Sequence, residues 1–116
     1  MTSDLTALVK LIRQFALERD WEQFNSPKNL ACSLSIEAAE VLEHFQWLTD
    51  SQSRELPADK VQAVALEAAD VFLYLLNLTD KLGIDLAAAA HNKLSINAQK
   101  YPVELARGTS KKYTEL

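Results

Sequence analysis

Cysteine is almost missing from this chain of 116 residues: Cys32 stands alone, so no intrachain disulfide can form and a metal site built on thiolates is excluded. A reducing, cytoplasmic setting fits that composition. Glycine and proline are scarce too, with two and three copies, which leaves few turn signals and favours long helices. Basic residues are outnumbered, 12 against 16 acids for a net charge of −4. That balance argues against a nucleic acid polymer as partner, because a phosphate backbone selects for a basic excess. No apolar run is expected to reach the roughly 20 residues that span a bilayer, and the opening "MTSDLTALVK" lacks the basic start and apolar core of a signal peptide. No stretch alternates apolar and polar residues as a half-buried strand does. What remains is a chain 48% hydrophobic and of one-domain length, expected to form a single all-α domain over residues 1–116 that is not bound to a membrane.

The apolar pattern predicts four helices and a tail. Leu5, Leu8, Val9, Ile12, Phe15 and Ala16 give the first helix its stripe, with Ser3 or Asp4 as cap and an end near Asp20. After "WEQFNSPKN", where Pro27 punctuates the chain, a second helix is expected over 29–48, its buried face marked by Leu34, Val41, Phe45 and Leu48. Pro57 suits the first turn of a third helix that Gly83 stops. Asp85 suits the cap of a fourth, ending before Pro102, and the tail over about 103–116 is basic, polar and aperiodic. The third helix, about 37 Å long, is apolar nearly all round: Val64, Val71, Leu75 and Leu78 line one face, while Phe72, Leu73 and Leu76 point elsewhere. A helix of that kind is buried nearly all round. The expected fold is therefore a four-helix bundle that forms a homo-oligomer, its long third helix packing across a two-fold interface.

One feature conflicts with burial. Residues 36–48, "IEAAEVLEHFQWL", align with residues 66–78, "LEAADVFLYLLNL", at a constant offset of 30. Glu37 falls on Glu67 and Glu40 on Asp70. Acids at i and i+3 lie about 60° apart on a helix, and the valine at i+4 lies about 40° from the first acid. Both pairs thus border the apolar stripe that faces the interior. Four converging carboxylates repel one another and resist desolvation. No Lys or Arg sits at i+4 to any of them. A hard divalent cation, Mg²⁺ or else Mn²⁺, is the expected compensation, since the ligands are all oxygen. A dinuclear iron site wants Glu-x-x-His, and His44 follows Glu40 by four; His44 and His91 are read as ordinary polar residues.

Magnesium held by carboxylates keeps positions open for substrate phosphates. Lys93, Asn97 and Lys100, at i, i+4 and i+7, form one face of the fourth helix and offer a phosphate clamp. Trp21, in a loop, is the best candidate for stacking on a base, with Phe24 and Trp47 as others.

These residues carry a resemblance. "EAAE" and "EAAD" on successive helices resemble the acid signature of the MazG-like, all-α nucleoside triphosphate pyrophosphohydrolases, and "FALERDWEQFNSPKNL", "EHFQW", "DVFLYL", "KLSINAQKYP" and "SKKYTEL" look like the dCTP pyrophosphatase branch over nearly the whole chain. The resemblance implies that Glu37, Glu40, Glu67 and Asp70 bind Mg²⁺ and serve catalysis, that Trp21, Trp47 and Tyr74 contact the nucleotide, and that Lys93 and Asn97 lie near its phosphates. It implies hydrolysis of a (deoxy)nucleoside triphosphate, dCTP or a modified dCTP preferred, to monophosphate and pyrophosphate, a role in cleaning the nucleotide pool, and an oligomer with sites near subunit contacts. Ile12 stands where animal members carry a base-holding histidine, so base preference is left open. The alternatives are a related pyrophosphohydrolase acting on dUTP, phosphoribosyl-ATP or another nucleotide, and a helical module that binds nucleotide without cleaving it.

Overall fold

The computed structural model describes residues 3–116, and among them every regular element is helical. α1 runs Ser3–Glu18, α2 Pro27–Glu43, α3 Asp50–Ser53, α4 Ala58–Lys81, α5 Leu86–Lys100 and α6 Val103–Ala106, with single 3₁₀ turns at Glu22–Phe24 and Tyr113–Glu115. The all-α class is as expected. Asp4 lies inside the first turn of α1, and a capping role for the Ser3 side chain lies outside the described residues. The Ser26 hydroxyl accepts the Asn29 N–H and Pro27 opens α2, while Asp85 accepts the Ala88 N–H to start α5.

Two helix ends share one device. At the end of α4 the Ile84 N–H reaches the Thr79 carbonyl at 2.9 Å and the Gly83 N–H the Asp80 carbonyl at 3.1 Å, with Gly83 at φ +67°. At the end of α1 the same pair of bonds runs from Trp21 to Ala16 and from Asp20 to Leu17, but the left-handed position (φ 54°) is held by Asp20. That turn aims Trp21 back at its own helix. Its ring meets Phe15 edge to face at 5.8 Å, and the Arg19 guanidinium lies 3.6 Å over the Phe15 ring.

α2 and α4 form the principal intrachain contact, and α1 packs on α4. The core is Val9 and Ala16 from α1, Leu30 from α2 and Leu76 from α4. Leu76, expected on a second face away from that core, is fully buried, whereas Phe72 and Leu73 on α4 are exposed. Arg13 holds Asp80 through two hydrogen bonds, one of 2.8 Å from Nε, which keeps the Asp80 carboxyl below its usual range. Lys81 pairs with Glu22. These two pairs fasten α1 and the 3₁₀ turn after it to the end of α4.

α2 stops at Glu43, five residues short of the expected end at 48, so Phe45 and Leu48 sit in successive turns. The cause lies just downstream. Thr49 and Gln52 form a capping box that starts α3, and it holds Thr49 extended at ψ 164°, which a continuing helix does not allow. α3 and α6 lie within segments expected to be irregular. The tail is fastened: Tyr113 meets Tyr101 edge to face at 5.9 Å and Lys100 lies 4.7 Å over the Tyr113 ring.

α5 has no comparable packing partner within the chain. The radius of gyration is 17.6 Å, against about 13 Å for a compact chain of this length, and much apolar surface stays open. Contrary to the expectation from composition, α4 is by length and composition apolar enough to cross a membrane. It carries Glu67 and Asp70 mid-length, however, and a charged residue at a bilayer centre costs about 2.5–3.5 kcal/mol.

Two substitutions test this packing. Gly83→Ala meets no atom within 4 Å of the added methyl, so its cost is that of the backbone conformation alone, about 1 kcal/mol in denaturant unfolding. Leu76→Ala removes a fully buried side chain and is expected to cost about 2–5 kcal/mol in the same experiment.

Candidate metal and nucleotide site

The α2–α4 contact brings the two acid pairs together. Glu37, Glu67 and Asp70 each offer a carboxylate oxygen, and these oxygens lie within 4.8 Å of one another. The Glu40 carboxyl hydrogen-bonds to the carboxyls of both Glu37 and Glu67. Such bonds between acids need a proton on one partner. Glu37 is accordingly raised from its ordinary 4.5 to about 7, first by its bond with Glu40, then by burial, then by the charges of Glu40, Asp70 and Glu67. Glu67 is raised by its bond with Glu40 and by burial, with His44 pulling the other way.

Oε2 of Glu37 and Oε2 of Glu67 are buried and have no hydrogen-bond partner. Orphaned buried carboxylate oxygens are costly, and a cation removes the cost by taking them as ligands. An all-oxygen donor set suits a hard divalent ion such as Mg²⁺. The residues present therefore fit the expected metal.

His44, read from sequence as an ordinary polar residue, has its Nε2 3.9 Å from Glu67 Oε1. The signal for it was its spacing, i+7 from Glu37 and i+4 from Glu40 on the same helix face.

Beside the acids, between α1 and α4, lies a cavity of about 400 Å³. Asp70 lines it, as do Trp21, Tyr74, Ile12 and Phe15. The cavity is thus mostly apolar and aromatic, with the metal-side carboxylate of Asp70 at its wall. Two amides, Asn25 and Asn77, line it as well; neither stood out in the sequence. Trp47 is 86% exposed and lines a different depression, with His44, Glu55 and Lys60. On α5, Lys93 is exposed and Asn97 half-buried, and neither lines the cavity. Within one chain the structure brings Trp21 and Tyr74 together with Asp70, and leaves Trp47, Lys93 and Asn97 elsewhere.

The all-helical scaffold thus gathers acidic side chains from two packed helices beside an aromatic cavity. The MazG-like family model matches residues 32–116, and the chain belongs to that family. It is 43% identical over 109 residues to human dCTP pyrophosphatase 1 and 41% identical to the mouse protein of that name, covering 92% of this chain. It spans 64% of the length of those curated relatives. The crystal structure of a pyrophosphatase from Archaeoglobus fulgidus superposes with a TM-score of 0.82 at 38% identity, over 88% of this chain and 95% of that one.

The raised carboxyls make a pH-dependent prediction. Between about 4.5 and 7 the folded protein retains the Glu37 proton that the unfolded chain has released, so stability of metal-free protein falls as pH rises through that window. Calorimetry in EDTA should show Tm dropping from pH 5 to 8, with Mg²⁺ restoring most at the alkaline end. Glu37→Gln should flatten the decline; an unchanged slope would contradict the placement of that proton.

Proposed function

We propose that this protein hydrolyses a deoxynucleoside triphosphate, dCTP or a modified dCTP preferred, to the monophosphate and pyrophosphate. The observation that carries the reading is that Asp70 belongs both to the acid cluster and to the aromatic cavity, so a phosphate chain at the acids and a base between α1 and α4 fit one ligand. The names of the human, mouse and archaeal relatives support it.

In this reading Glu37, Glu40, Glu67 and Asp70 hold Mg²⁺, which when bound screens the phosphate charge and lowers the pKa of a water. Trp21 and Tyr74 stack on the base and exclude water from the cavity. A water oxygen bonds to the α-phosphorus as the α–β bridging oxygen leaves with pyrophosphate, and the water's protons pass to the products and solvent.

Lys93 and Asn97 bind phosphates and Trp47 covers the nucleotide once copies of the chain assemble. The exposed Phe72 and Leu73 of α4 give a homo-oligomer its surface, a tetramer more than a dimer, in the cytoplasm. Residues 1–116 form one functional domain in it.

The test is pyrophosphate release from each dNTP and NTP, with Mg²⁺ and with excess EDTA. Release is expected to be metal-dependent and led by cytidine nucleotides. Glu67→Ala should lose at least about 100-fold in kcat/KM, more than the loss of one oxyanion donor, while its Tm in EDTA rises because an orphaned carboxylate is gone. Full activity in that variant would refute the site.

A further inference from the structure

Among the described residues two buried polar side chains stand apart from the acid cluster, Asn77 and Thr79, each 8% exposed. Thr79 is satisfied: its hydroxyl donates to the Leu75 and Leu76 carbonyls at 3.0 and 3.1 Å. Asn77 is not. Its side-chain amide has no hydrogen-bond partner among the described residues, although it can make as many as four such bonds. The amide is not closed off, however: it lines the cavity between α1 and α4, where only water or a ligand can meet its polar atoms.

Its location supplies a reason. Asp70, Leu73, Tyr74 and Asn77 follow one another at i, i+3, i+4 and i+7 on α4, and all four line the cavity against α1. Seven residues of helix span about 10 Å, comparable with the reach from the 5′-phosphate of a nucleotide to the far edge of its base. With a phosphate at Asp70, the base edge arrives at Asn77. Ile12, on the α1 side of the cavity, offers no hydrogen bond that would fix which edge is chosen.

Resting on the function proposed above, we propose that the Asn77 amide reads the hydrogen-bonding edge of a pyrimidine, and that it accepts cytosine and uracil alike. Cytosine presents an amino donor beside an acceptor nitrogen, and uracil presents a carbonyl acceptor beside an N–H donor. An amide answers either pattern by turning over, because its oxygen and its NH₂ exchange places. Selection against the abasic sugar phosphate is strong, and Asn77 adds little selection between the two pyrimidines, so the lead of cytidine nucleotides over uridine nucleotides stays within about tenfold.

The experiment is calorimetric titration of dCMP, dUMP and 2-deoxyribose 5-phosphate, with Mg²⁺ present, into the full chain and into Asn77→Leu and Asn77→Ala. Wild type is expected to bind dCMP and dUMP within about tenfold of each other and at least tenfold more tightly than the abasic compound. Both variants should weaken the two nucleotides at least tenfold and leave the abasic compound unchanged. Asn77→Leu should leave Tm close to that of wild type, whereas loss of a structural hydrogen bond would lower it. Binding of both nucleotides within twofold of wild type in either variant overturns the assignment, as does equal weakening of all three ligands. A wild-type preference for one pyrimidine above a hundredfold overturns the tolerance. Pyrophosphate release from dCTP by wild type, measured in parallel, judges the reaction separately: base binding that depends on Asn77 without any release would sink the hydrolysis and keep the reader.

Discussion

Mutual repulsion among four carboxylates is the constraint around which this protein is arranged. α2 and α4 pack together through the faces that carry Glu37, Glu40, Glu67 and Asp70, so the principal intrachain contact and the least favourable electrostatic arrangement share one place. Without a cation the strain is met by protons, which is why Glu37 holds one up to about pH 7. Two oxygens still lack any partner. The helix pair is therefore an incomplete structure whose missing term is positive charge, and stability and ligand binding are linked through that term.

The second constraint is one of area. Among the described residues four hydrophobic side chains are buried, and the radius of gyration of 17.6 Å belongs to a chain whose helices have not closed on each other. The apolar surface of α4 exceeds what α1 and α2 cover. Ion pairs set on the rim, Arg13 with Asp80 and Lys81 with Glu22, hold α1 in place where hydrophobic contact is thin. α1 in turn forms one wall of the aromatic cavity.

Much of this was legible in the sequence. The two acid pairs repeat at an offset of 30, each with a valine four residues after its first acid, and periodicity with Asp85 as a cap and Gly83 as a stop placed the long helices. The end of α2 was hidden because the heptad-like run through Phe45 and Leu48 is a good helical pattern; a capping box at Thr49 overrides it, and such a local competition has no signature in hydrophobic period. His44 and Asn77 were hidden for another reason. Spacing sets His44 near Glu40, but only tertiary packing brings it to Glu67 and turns Asn77 toward an apolar cavity. Lys93 and Asn97 on α5 stand away from the cavity, and hydrophobic pattern alone does not specify where α5 packs.

Asp70 stands at the junction of two faces of α4, and the register from it to Asn77 has a consequence for how such a chain tolerates change. One residue inserted between them would swing Asn77 about 100° around the helix axis and shift it by about 1.5 Å, parting the cavity from the acids while leaving helix and core composition intact. In the function proposed here, the two turns of α4 between Asp70 and Asn77 act as a fixed gauge of ligand length.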